Sequence, residues 1–253
     1  MKKNNLKHNL SKNGWVVIKN FLSKKETLKY KKLIYFFLKK NHKSFKGRDI
    51  NYADNTSSFN KINSFHKLEA CKHVKNFFRK GKIFKISKYL LGNNTPELRA
   101  SELFNKPKNC GLKAAPHQDD YYWNVKKNMG LTFWIALDKA NKNNGSMYYY
   151  TGSHKVGLLA HKPSYGKGTS QTIKNKKELK KFKKKYLELN PGDAAVHTSL
   201  IVHGSDKNTS NYNRAGWTFA IKSKNHPYDK KRTDKFVNSL HKQIKLREKN
   251  ARI

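Results

Sequence analysis

From residue 97 onward the chain is written in short apolar segments. ELRASELF (97–104), GLTFWIALD (130–138), GSMYYYTGS (145–153), DAAVHTSLIVH (193–203) and AGWTFAI (215–221) are rich in β-branched and aromatic residues. The stretches between them, NKPKN, NKNNG and NPGD, are made of residues that favour turns. Short strands joined by turns restrict this region to a sandwich or a barrel. One stretch breaks the rhythm. Residues 161–187 are Lys-rich and read as an insertion of loop plus a short helix.

The first third has a different pattern. Trp15–Ile18 reads as a strand, and Ser23 with Glu26 makes a capping box for a helix. That helix places Leu28, Leu33, Ile34, Phe37 and Leu38 on one broad face. Residues 41–58 read as a polar loop. Residues 66–91 read as helix in two pieces broken near Gly81, with Gly92 as the closing glycine. The tail, 229–253, is expected to be one exposed helix. The fold class expected is mostly β with helices (α+β), as a single domain over 1–253. Its helical part is about 1–95, its β core about 96–223 and its basic tail 224–253.

The formal charge is +40, yet only seven of the 56 basic residues are Arg. Excess Lys together with abundant Asn is what AT-rich coding yields, and the Arg forks that read phosphates and bases are scarce. The charge is therefore read as compositional. A basic nucleic-acid-directed oxygenase, or a nucleic-acid-binding protein, is kept as the alternative. Cys71 and Cys110 are too few for a disulfide framework or a Cys-rich zinc site, which points to a reducing cytoplasm. No run of about 18 apolar residues reads as a membrane span.

Acidic residues are scarce, 16 in the chain, and PHQDDYYWNV (116–125) places two of them beside a histidine. On a strand, His117 and Asp119 project to one face, which offers two ligands to a divalent metal. Asp120 then turns away and reads as a turn or surface carboxylate. A third ligand is sought among the other histidines, and His203 ends the apolar segment SLIVH. Two histidines and a carboxylate make the facial triad of non-heme Fe(II) oxygenases. Eleven residues on, Arg214 opens the next strand, where a buried guanidinium requires an anion. His197 shares the parity of His203, which would allow it to stand beside the metal ligands, but nothing in the sequence singles out that role over an ordinary core histidine. His154 reads as a loop brace. Tyr121 and Trp123 read as core or as walls of a pocket.

This ordered set resembles the phytanoyl-CoA dioxygenase family of Fe(II)/2-oxoglutarate oxygenases. NGWVVIKNFLS, FNKP, HQDDYYW, residues 131–157 and residues 190–217 carry the resemblance, from about 10 to 222. It implies a double-stranded β-helix (jelly-roll) with the N-terminal helices against one sheet. It implies Fe(II) on His117, Asp119 and His203, with 2-oxoglutarate as cosubstrate and its far carboxylate on Arg214. Thr132 and Trp134 match positions lining the cosubstrate pocket, and Asn124 is assigned to the carboxylate next to the keto group. Ser205 and Ser210 are candidates to assist Arg214 or are turn residues. Ser101 or Glu102 faces the site from the preceding strand. Asp119 fills the position that some halogenases of the family leave open, so the activity implied is hydroxylation. The expected partner is a small-molecule substrate, favoured as anionic by the lysines, with the 161–187 insertion at the rim of the site.

Overall fold

The computed structural model describes residues 3–125, 129–225 and 229–250. Six α-helices are described: α1 (Lys3–Asn13), α2 (Lys24–Asn41), α3 (Lys72–Lys80), α4 (Lys82–Leu90), α5 (Asp120–Trp123) and α6 (Lys230–Asn250). The strands of the first half are β1 (Trp15–Ile18), β2 (Ile50–Tyr52), β3 (Ile62–Phe65), β4 (Pro96–Lys106), β5 (Ala114–His117), β6 (Gly130–Ala136) and β7 (Met147–Tyr150). Those of the second half are β8 (His161–Pro163), β9 (Gln171–Ile173), β10 (Lys184–Tyr186), β11 (Ala194–Thr198), β12 (His203–Ser205) and β13 (Arg214–Ser223).

Seven strands form one sheet in the order β1-β11-β6-β13-β4-β3-β2, four form a second in the order β10-β7-β12-β5, and β8 and β9 form a hairpin. The neighbours pair antiparallel. This is the expected double-stranded β-helix with helices on one sheet. Strand alternation sorts the side chains of the large sheet. Leu131, Phe133, Ile135, Val196, Trp217 and Phe219 face outward and form one core with Ile34 and Leu38 of α2, Val74 and Phe78 of α3 and Ile83 of α4. Trp134, Ala195, Met147, Tyr149 and Ile201 form a second core between the sheets. Burying each such large side chain contributes about 1.5–3 kcal/mol.

The capping box forms as expected: Ser23 Oγ accepts from the Glu26 amide at 3.2 Å, and Glu26 Oε2 accepts from the Ser23 amide at 2.8 Å. Gly81 separates α3 from α4, and Gly92 sits at φ +67°, the left-handed conformation that closes a helix. Three expectations are corrected. The loop 41–58 contains β2, which pairs with the unforeseen β3 and extends the large sheet. The 161–187 insertion holds the β8–β9 hairpin, a six-residue 3₁₀ helix (Lys176–Lys181) and β10. The tail is a helix, but it is docked: Gln243 is buried, and Arg232 reaches the Asp120 carboxylate at 2.8 Å. Its last three residues lie outside those described. No helix among the described residues is long and apolar enough to cross a membrane.

Candidate metal centre and its cavity

His117 ends β5 and His203 begins β12, and the two residues are register partners across the small sheet, with ring centroids 4.3 Å apart. Asp119 is not on the strand. β5 stops at His117, and Asp119 already has helical dihedrals (φ −59°, ψ −32°) at the start of α5. The three side chains therefore meet through a strand-to-helix turn rather than through strand parity. Gln118 pins this turn: it is fully buried, donates to Gly157 O (2.8 Å) and Leu200 O (2.5 Å), and accepts from the Leu159 amide.

One donor atom from each of His117, Asp119 and His203 lies within 4.8 Å of the others. Asp119 Oδ1 is 3.9 Å from His117 Nε2 and 3.6 Å from His203 Nε2. The tautomers follow from the hydrogen bonds. His117 Nδ1 donates to Ala115 O (2.7 Å) and His203 Nδ1 to Ile201 O (3.1 Å), because a carbonyl only accepts. Both Nε2 lone pairs are left facing the carboxylate, which is the form that binds a metal. Burial lowers the pKa of each imidazole to about 4, so both are neutral at pH 7. Burial works against ionisation of Asp119, but His203, His197 and His117 outweigh it and hold its pKa below the ordinary carboxylate value.

The second oxygen of Asp119 is fixed by two donors. Thr132 Oγ1 lies at 2.7 Å from Oδ2 and His197 Nε2 at 3.3 Å. Tyr149 Oη donates to His197 Nδ1 at 2.8 Å, which sets the His197 tautomer. His197 is thus the neighbour of the ligands that its parity allowed, and Oδ1 alone is left for a cation.

These residues open into a cavity of about 640 Å³. Arg214 lies in its wall, 1% exposed, with its guanidinium 5.4 Å from the Trp134 ring centre. Its amino groups donate to Phe104 O (3.1 Å) and Gly145 O (2.8 Å), while Nε is buried without a partner. No carboxylate pairs with it among the described residues. Burial lowers its pKa to about 9, which leaves it cationic at neutral pH. A buried cation with an unsatisfied donor on a cavity wall is a socket for an anion. Lys106, missed in the sequence, lies in the same wall; burial and then Arg214 push its pKa well down, and Nζ donates to Asp206 O. Its presence in FNKP, two residues from Phe104 on a strand, was the available signal.

Thr132 and Trp134 both line the cavity, but the Thr132 hydroxyl is directed at Asp119. Any side chain at position 216 would overlap Trp134: a Cβ there would lie 2.0 Å from Cζ2, so Gly216 makes room for the indole. Asn124 is turned away from the cavity. It sits in the left-handed region (φ 56°) and its amide donates to Asp229 O and, at 3.2 Å, to Thr233 Oγ1 on the C-terminal helix. Asp120 is buried rather than at the surface, accepting from the Val125 amide (3.0 Å) and pairing with Arg232. Ser101 faces the outer core, bonded to Thr218 O and to Trp217 Nε1, so it is Glu102 that faces the cavity, 2.7 Å from His66 Nδ1. Trp123 lines the cavity, whereas Tyr121 stacks on His161 at 4.4 Å. Ser205 lines the cavity, Ser210 is a turn residue bonded to Asn208, and His154 braces α1 through Ser11 O. Gly166, Lys167, Gly168, Thr169 and Ser170 place the insertion at the rim.

The fold and the cluster together define a double-stranded β-helix that carries two histidines and a carboxylate in a cavity whose wall also holds a buried arginine. Residues 10–216 match the phytanoyl-CoA dioxygenase family model, and the chain belongs to that family. It is similar to the human protein named "Phytanoyl-CoA dioxygenase, peroxisomal", with 25% identity over 212 residues, 78% of this chain and 61% of that one. It is also similar to the Danio rerio "Phytanoyl-CoA dioxygenase domain-containing protein 1", with 30% identity over 195 residues, 74% of this chain and 65% of that one. The chain thus spans about three fifths of the length of the human relative. Among solved structures it resembles EctD from S. alaskensis, determined with 2-oxoglutarate and 5-hydroxyectoine (TM-score 0.70, 19% identity, 88% of this chain and 76% of that one). It also resembles SnoK, the α-ketoglutarate-dependent carbocyclase from nogalamycin biosynthesis (TM-score 0.71, 17% identity, 90% and 86%). At such identities the likeness establishes the fold.

Proposed function

We propose that the protein is an Fe(II)- and 2-oxoglutarate-dependent dioxygenase that hydroxylates a small-molecule substrate. The observation that carries this reading is a donor set of two neutral imidazoles and one carboxylate, sharing a cavity with a buried guanidinium that makes no ion pair among the described residues. The set suits a ferrous ion, because nitrogen and carboxylate ligands on one face leave other positions open and no thiolate is present. His117 Nε2, Asp119 Oδ1 and His203 Nε2 would hold the metal, and Arg214 would hold the distal carboxylate of 2-oxoglutarate. Bound there, the pair supplies activation of O2 coupled to decarboxylation of 2-oxoglutarate to succinate and CO2, with hydroxylation of a substrate C–H bond.

The chain's own task is placement. Thr132 and His197 fix the rotation of the Asp119 carboxylate, and Tyr149 fixes His197. Arg214, held by two backbone carbonyls and stacked near Trp134, presents its fork in one orientation. The test is succinate formation from 2-oxoglutarate with added Fe(II) in air. Wild type forms succinate, and Asp119→Ala abolishes it. No succinate from wild type, or an undiminished rate in Asp119→Ala, overturns the proposal.

A further inference from the structure

The family-matched residues end at 216, yet the cavity is completed by the helix that follows. Phe236, Leu240 and Ile244 of α6 recur every four residues, so they form one stripe, and all three line the cavity. The helix is clasped at its first turn. Arg232 donates to the Asp120 carboxylate at 2.8 Å and to the Asp120 carbonyl oxygen, and Asn124 donates to Asp229 O and Thr233 Oγ1. Both clasping residues sit within five positions of Asp119. Further along, Gln171 of the insertion donates to Ser239 Oγ at 3.2 Å, and Phe236 meets the Tyr122 ring edge-on at 5.2 Å. The apolar stripe is therefore fixed over the site by specific polar contacts.

In a chain with seven arginines among 56 basic residues, Arg48, Arg99 and Arg214 all line this cavity. Arg214 faces the cosubstrate end of the proposed site. Arg99 is exposed into the cavity mouth, with its guanidinium 5.6 Å from the ring centre of Trp123, a contact that orients the fork. Neither Arg48 nor Arg99 makes an ion pair within 4 Å among the described residues. Two acids whose charges reach Arg99 hydrogen-bond to other groups: Glu102 holds His66 at 2.7 Å, and Glu69 accepts from the Ser101 amide at 2.9 Å. Arg48 and Arg99 line the same cavity, so the two guanidiniums act on one space. Arginine forks match carboxylates in a way that the abundant lysines do not.

We infer that the substrate is an amphipathic organic acid, with its carboxylate on Arg99 and Arg48 at the mouth and its apolar body against Phe236, Leu240 and Ile244. This rests on the oxygenase reading of the site for what the acid is bound for, but not for the binding itself. α6 is then the wall that sets which apolar body fits, and Arg99 is the residue that selects an acid over its neutral analogue.

The test is quenching of tryptophan fluorescence in the metal-free protein, since Trp123 lies beside Arg99. The probes are decanoate and phenylbutyrate, each against its neutral alcohol, decanol and phenylbutanol. The acids bind saturably and at least about tenfold more tightly than the alcohols. Arg99→Gln removes that preference, while Arg79→Gln, the same charge loss at an exposed site on α3, leaves it intact. Leu240→Asn weakens acids and alcohols alike, and its melting curve shows whether the fold persists; Leu240→Ala serves if it does not. Equal binding of acids and alcohols overturns the inference, as does an acid preference that Arg99→Gln and Arg79→Gln reduce equally. Succinate formation is measured on the same wild-type preparation. Succinate without acid preference sinks the inference and leaves the oxygenase reading; Arg99-dependent acid binding without succinate does the reverse.

Discussion

Removing the Thr132 hydroxyl gives the sharpest test of how the metal centre is held. Thr132→Val keeps the β-branched shape on β6 and deletes the 2.7 Å bond to Asp119 Oδ2. His197 remains as a donor at 3.3 Å, so the carboxylate stays partly satisfied. A hydrogen bond to a charged group is worth about 1.5–3 kcal/mol. Deleting a group that orients a metal ligand costs about 10–100-fold in metal affinity, which at about 1.36 kcal/mol per tenfold is about 1.4–2.7 kcal/mol. The two routes agree, so Co(II) affinity measured by titration calorimetry should fall about 10–100-fold in Thr132→Val. Thr132→Ser, which keeps the donor, should recover most of it. Asp119→Ala sets the floor. If Thr132→Val melts like wild type and binds Co(II) within about twofold of it, while its affinity for 2-oxoglutarate collapses, Thr132 belongs to the cosubstrate pocket and not to Asp119.

Three other perturbations probe the supports of the site. In Gly216→Ala the new methyl lies 2.0 Å from the Trp134 ring, so the indole must move; a stability loss of about 1–3 kcal/mol in urea unfolding is expected. Asp120→Asn weakens the clasp on Arg232 by about 1.5–3 kcal/mol, and hydrogen exchange should quicken across residues 230–250 with little change in the β core. Burial opposes the Asp193 charge, but its bonds to Lys19, Asn20 and Asn190 prevail and lower its pKa. A folded pKa below the unfolded one gives stability that is present above the unfolded value and is lost as the pH falls through the folded one. The melting-temperature gap between wild type and Asp193→Asn should therefore be largest near neutrality and close as the pH drops below the ordinary carboxylate range.

The jelly-roll strands were legible because each inward–outward alternation is long enough to register: Leu131, Phe133 and Ile135 face one way and Thr132 and Trp134 the other. β2 and β3 were not. INY and INSF are three and four residues long, contain Asn or Ser, and acquire strand character only from pairing with each other and with β4. α1 was also missed, because Lys and Asn dominate it and only Leu6 and Leu10 mark its buried face. The ligand triad was legible from residue type and order. The geometry that unites it was not, since strand parity was assumed where a helix begins at Asp120. That same assumption placed Asp120 at the surface, while the family resemblance placed Asn124 in the pocket. Both instead hold α6, Asp120 through Arg232, an isolated polar residue that the tail's apolar spacing does not announce.

The central claim is that one cavity presents a ferrous ion and a dicarboxylate to each other. Anaerobic addition of Fe(II) and 2-oxoglutarate to the protein tests both at once, through the visible charge-transfer band that forms only when the keto acid chelates the bound metal. The band should appear in wild type, vanish in His203→Ala, and in Arg214→Gln require far more 2-oxoglutarate. A band that survives His203→Ala, or none in wild type, contradicts the account.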